Sequence, residues 1–189
     1  MGVSWRFATR RGVSTLAIKS LYLAGVKGVL LGGWAGLTRA YLDTSTDEGK
    51  RLHAWAEENI FEIDSCPHDW LFPQCAAVVH HGGAGTLAAG IRAGCPTIVC
   101  ATQGDQPFHG SLVQARGIGK YLGMIGSSKL TAESIGTSIK DVLADQSIIA
   151  AAQALGARVQ SEDGVANAIS FIDKMAASFS YPWATPNKS

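Results

Sequence analysis

The sequence predicts an α/β fold, a parallel sheet with flanking crossover helices and a helical C-terminal end, and three observations carry that prediction. Short apolar runs of strand length alternate with longer helix-compatible segments, the order that lays parallel strands side by side with helices between them. The run Ala76-Ala77-Val78-Val79 leads directly into His80-His81-Gly82-Gly83-Ala84-Gly85-Thr86, a strand end, a glycine turn and a helix start. Beyond Leu122 the strand-like runs cease and helix patterns with N-cap residues take over.

Taken in order, residues 15–26 read as a helix and residues 28–32 as the strand after it. Residues 43–58 are polar, with Leu52 and Trp55 as their few apolar anchors, which fits a surface helix or a flexible insertion. Ile60-Phe61-Glu62-Ile63 is a strand, residues 68–72 are one helical turn, and the strand at 76–79 precedes a small-residue helix over 86–92. Residues 96–100 form a further buried strand, 108–115 a helix stopped by Gly117, and 120–122 a short strand. Helices over 131–144 and 145–159 follow, and Asp163 caps a last one, whose Val165, Ile169, Ile172 and Ala176 share a face. One domain spans residues 1–180, and residues 181–189, with two prolines, form an irregular tail. A sheet of this kind opens with a hydrophobic strand, whereas this chain opens with Ser4-Trp5-Arg6-Phe7-Ala8-Thr9-Arg10-Arg11; the first strand is expected to be missing, as in a fragment or one half of a split enzyme.

Sixteen Lys and Arg against 15 Asp and Glu give no charge excess that would seek a nucleic acid or an acidic membrane surface. Cys66, Cys75, Cys95 and Cys100 lie in or beside apolar runs without C-x-x-C spacing, which fits reduced thiols and a cytoplasmic protein. Arg6, Arg10 and Arg11 are not followed by the apolar stretch and cleavage site of a secretory leader. Residues 71–91 lack Asp, Glu, Lys and Arg, yet Pro73, Gln74, the histidine pair and the glycines break the stretch; a buried strand and helix explain it better than a membrane span.

Glycines between a strand and a helix let backbone N–H groups approach an anion, and the helix adds its dipole and unpaired amides, so the turn suits a diphosphate. The plainer alternative is a tight turn with no ligand. His80, His81, Cys66, His68 and Cys75 lack the spacing of a zinc site, and neighbours along a strand face opposite ways; no metal is expected, with His81 on the cleft side and His80 packed. Asp105 stands before Pro107, where it serves as a helix cap, a ligand contact or both. Trp34 and Trp70 are expected as core aromatics, His53 and His109 as surface or loop histidines, and Arg10-Arg11 as a solvated end.

From Cys66 to Gly110 the chain resembles the donor-site signature of the UDP-glycosyltransferases, and HHGGAGT followed by GDQPF is most similar to the sterol 3-beta-glucosyltransferases and related antibiotic glucosyltransferases. Gly32-Gly33-Trp34-Ala35-Gly36-Leu37 is similar to a segment of the same subgroup. The resemblance implies the C-terminal half of a GT-B type glycosyltransferase, a Rossmann-like nucleotide-sugar domain. By position it places uracil beside the backbone of Cys66 with His68 close by, and the diphosphate on His81, Ala84, Gly85 and Thr86. Asp105 and Gln106 then meet the glucose hydroxyls. It implies UDP-glucose as donor substrate with no further cofactor, inversion at the anomeric carbon, and a sterol or other lipid-like alcohol as acceptor, bound through a missing N-terminal domain. The full protein is then expected in the cytoplasm, with peripheral membrane association. The family's general base belongs to that absent domain, so no catalytic residue is assigned in this chain. Two other readings stand beside this one: a non-catalytic or truncated UDP-sugar-binding subunit that needs a separate acceptor-domain chain, and a nucleotide-sugar epimerase of the same architecture.

Overall fold

The structure is a computed structural model and describes residues 9–179. Thr9 caps α1 (Arg10–Ala24) by accepting from the Gly12 amide at 3.1 Å, and Gly25 in the left-handed region ends it. The helix begins earlier than its apolar spacing predicts, because the cap and not the pattern sets its first turn. Strand β1 (Gly28–Leu31) leads into α2 (Asp47–Asn59), where buried Leu52 and Ala56 make the polar segment a surface helix, not an insertion. Strand β2 (Ile60–Ile63) pairs parallel with β1, Gly28 opposite Ile60, and α3 (His68–Leu71) is the single turn expected.

The glycine motif lies between β3 (Val78–His80) and α4 (Ala84–Arg92). Next come β4 (Thr97–Ala101), α5 (Gln106–Ala115) and β5 (Gly119–Met124), which extend β3 into a parallel sheet of order β3-β4-β5. Helices α6 (Ala132–Ala144), α7 (Gln146–Ser161) and α8 (Gly164–Ser178) complete the helical end, capped by Thr131, Asp145 and Asp163 as their positions predict. Among the described residues the parallel strands form two sheets, β1-β2 and β3-β4-β5, where the sequence pattern suggested one.

Helix α1 joins the two sheets. Its Leu16 packs with Ile98 and Cys100 of β4 and with Ile135, Ile139 and Val142 of α6, while its Ile18 packs with Leu30, Leu52, Ala56 and Ile60 around β1-β2. Gly136 makes the approach of α6 to α1 possible: a Cβ there would stand 3.0 Å from the Ser20 carbonyl. The opposite face of β4 presents Val99 to Leu87, Val113, Ile118 and Ala152, so this strand is buried at every residue, as parallel strands covered on both faces are.

All four cysteines are free thiols, and burial pushes those of Cys95 and Cys100 up to about 12. In α8 the expected shared face exists, yet Val165, Ile169 and Ile172 are all exposed. No helix among the described residues is long and apolar enough to cross a membrane. The missing opening strand and the irregular tail concern residues outside those described.

Candidate functional site

The loops that leave the C-terminal ends of β2, in one sheet, and of β3 and β4, in the other, carry every residue that the resemblance placed at the donor site. After β3 the chain turns at Gly82 (φ +88) and enters α4 through Gly83, an N-cap with no side chain to occupy the first helical amides. Ala84, Gly85 and Thr86 form the opening turn, two amides further into the motif than the helix predicted from 86. Their N–H groups have no intrahelical acceptors, and the positive end of the helix dipole lies with them. Ala84 and Gly85 are exposed and Thr86 is half-buried. His81 is exposed, and its ring folds over Gly83, with Nε2 in the space a Cβ would take.

His80 faces inward, as predicted. Its Nδ1 accepts from the Gly82 amide at 2.9 Å, and burial, helped by His81 and His68, pulls its pKa down to about 4. Its Nε2 is buried with no partner among the described residues. With Nδ1 accepting, the neutral ring carries its proton on that Nε2.

Beyond β4, Asp105 and Gln106 come to lie against the same turn. A Cβ on Gly82 would meet Val99 Cγ1 at 2.7 Å and the Gln106 carbonyl at 3.2 Å. Asp105 occupies the N-cap position of α5, but its carboxylate makes no capping hydrogen bond and is 68% exposed, with His109 Nε2 3.9 Å from its Oδ2. Gln106 is buried. Its Oε1 accepts from the Thr102 amide and hydroxyl, both at 2.7 Å, and from the Gln103 amide at 3.0 Å. That oxygen therefore builds the loop.

The residues expected beside a base lie on a short loop and a single helical turn. Cys66 and His68 are half-buried, and the His68 ring stacks on Phe72 with centroids 4.6 Å apart. Trp70, expected in the core, is 62% exposed at this end, because the single turn of α3 points it outward; the Trp34 side chain lies outside the described residues. A cavity of about 520 Å³ opens at the end of β2, lined by Leu37, Thr38, Glu62, Ile63, Asp64 and Ser65. Glu62 in its wall accepts from Thr38 Oγ1 at 3.1 Å and from the Arg39 amide at 2.5 Å.

His109, expected as a surface or loop histidine, lies in α5. It is no surface histidine: its side chain is 17% exposed and its Nδ1 lies 2.8 Å from the Gly82 carbonyl. The signal available was its place one helical turn after Asp105. Among the described residues no group of His, Cys, Asp and Glu could hold a metal ion.

The chain is similar to known proteins. The family described as erythromycin biosynthesis protein CIII-like, C-terminal domain, matches residues 44–170. A sterol 3-beta-glucosyltransferase of Arabidopsis thaliana, UGT80B1, is 39% identical over 143 residues, which are 76% of this chain and 21% of that protein. One from Yarrowia lipolytica is 37% identical over 155 residues, 82% of this chain and 10% of that protein. The chain thus spans between a tenth and about a fifth of these relatives. Among solved structures, Os79 from O. sativa, in complex with U2F and trichothecene, superposes with a TM-score of 0.69 over 89% of this chain and 38% of that one, at 18% identity.

Proposed function

Because the chain belongs to the erythromycin biosynthesis protein CIII-like C-terminal domain family and has the α/β fold of the C-terminal half of a GT-B glycosyltransferase, we propose that it is the donor-binding half of a UDP-glucose-dependent glucosyltransferase. The acceptor in this proposal is a sterol or another lipophilic alcohol. One observation supports it: the loops that follow the neighbouring parallel strands β3 and β4, one with the open first amides of α4 and His81, the other with the exposed carboxylate of Asp105, meet where Gly82 packs against the Gln106 backbone.

In this proposal the transfer is an inverting displacement. The acceptor oxygen attacks the anomeric carbon from the face opposite UDP; the bond to the β-phosphate oxygen breaks, and that oxygen keeps the electron pair. His81 and the start of α4 stabilise the charge that grows there, more strongly in the transition state than in the bound substrate. Asp105 and the Gln106 amide orient the glucose, while the backbone at Cys66, near His68, reads the base. The proton of the attacking hydroxyl goes to a base in the acceptor domain, which this chain does not supply.

Calorimetric titration of the folded chain with UDP and with UDP-glucose tests the reading, and no binding of either rejects it. His81→Ala is expected to weaken UDP by about tenfold to a hundredfold, the worth of a charge-assisted hydrogen bond. Asp105→Ala should leave UDP nearly unchanged and erase the preference for UDP-glucose. Equal losses of both ligands in both variants would remove the division of labour.

A further inference from the structure

Gly82 is the hinge between β3 and α4, and both of its backbone groups are held by imidazoles. Its N–H donates to Nδ1 of His80 at 2.9 Å, and its carbonyl lies 2.8 Å from Nδ1 of His109. An amide N–H only donates and a carbonyl only accepts. The two contacts therefore demand opposite forms of the two rings: His80 with its proton on Nε2, His109 with a proton on Nδ1. Nε2 of His109 lies 3.9 Å from Oδ2 of Asp105, one turn earlier in α5.

The Gly82 carbonyl and the Gly83 N–H belong to one planar trans peptide, so they point in opposite directions. Whatever holds the carbonyl aims the amide. Gly82 itself has no side chain with which to fix that plane, and glycine moves easily between backbone conformations. Its own N–H is taken up by His80, which leaves the Gly83 amide as the first donor of the turn that can face a ligand, ahead of those of Ala84, Gly85 and Thr86.

We infer that His109 is a positioning residue for donor binding: its Nδ1–H grips the Gly82 carbonyl from behind and so presents the Gly83 N–H to the diphosphate, while its far side lies against the Asp105 carboxylate. The inference rests on the proposed reading of the turn as the diphosphate cradle and of Asp105 as the sugar contact. It adds a role at the diphosphate for one side chain that touches neither phosphate nor sugar.

Asparagine places an N–H where Nδ1–H of histidine stands, whereas leucine fills the space and donates nothing. In the full 189-residue chain, His109→Asn is expected to bind UDP and UDP-glucose within about threefold of the wild type, and His109→Leu to lose about tenfold on both, the scale of one hydrogen bond. Nitrogen-15 NMR of the imidazoles in the unliganded chain should show His80 protonated at Nε2 and neutral His109 at Nδ1. Wild-type affinity in His109→Leu, no advantage of asparagine over leucine, or neutral His109 with its proton on Nε2 would each overturn the inference. If the wild type bound neither ligand while the NMR showed the two tautomers, the nucleotide reading would fall along with the ligand role, and the grip on Gly82 would remain a feature of the fold.

Discussion

In the proposed reading the candidate site has a phosphate end and a base end, and the two are built differently. At the phosphate end, Gly82 is wedged against Val99 and the Gln106 backbone, His80 and His109 hold its peptide groups, and Gln106 ties down the loop beside it. At the base end, Cys66 and His68 sit on a short loop and a single helical turn, steadied by the stacking of His68 on Phe72, with Trp70 exposed. The difference follows from what each end has to present. Backbone amides bind an anion well only when their directions are set before it arrives, which takes a rigid turn. A planar base can be read by a backbone edge and by neighbouring rings that adjust to it.

The strongest way to break this contrast is to alter the turn itself. Gly82→Ala places a Cβ 2.7 Å from Val99 Cγ1 on a backbone with φ +88, where L residues are strained. Backbone strain and overpacking together predict a loss of about 3 kcal/mol in urea unfolding. Trp70→Ala, at the loose end, should stay within about 0.5 kcal/mol. Similar losses at the two positions would mean that the base-side loop is as tightly built as the turn.

A second measurement sharpens the contrast through pH. Burial holds His80 at about 4 against an ordinary 6.5, so between those values the unfolded chain takes up a proton that the folded chain refuses. The contribution of neutral His80 to stability is thus fully present above about pH 6.5, declines as the pH falls, and is gone below about 4. It amounts to about 3 kcal/mol across that window. The lowered carboxylates of Asp43 and Asp145 add an acid-side loss of their own. The informative quantity is therefore the difference between the wild type and His80→Asn, which should shrink from pH 7 to pH 4. A constant difference would show that the ring is not held neutral.

Those expectations were only partly legible in the sequence. The glycine turn was, because a strand end, glycines with no Cβ and a helix start are local features that sit next to one another in the chain. That His81 and Asp105 belong to one site was implied by the family resemblance, and it fits the rule that loops at the ends of neighbouring parallel strands meet. His109 was not legible, since its importance depends on the first turn of α5 facing back onto Gly82, a tertiary fact. Trp70 misled because bulk suggests burial, whereas α3 is too short to turn that ring inward. The face of α8 was read correctly as a face, but periodicity says which residues align and not whether anything covers them.

The smallest effect expected is at Cys66, and it tests the base end most directly. The proposed role there belongs to backbone groups, since a thiol is a weak hydrogen-bonding partner and a poor reader of a base edge. Cys66 is a half-buried free thiol. Replacing its sulfur with oxygen keeps the backbone and nearly the same volume. Cys66→Ser should therefore change stability by less than about 0.5 kcal/mol and leave UDP affinity within about twofold of the wild type, measured by the same calorimetry. A loss approaching that of His81→Ala would move the recognition from the backbone to the side chain. The base end would then depend on one specific contact, much as the phosphate end depends on its turn.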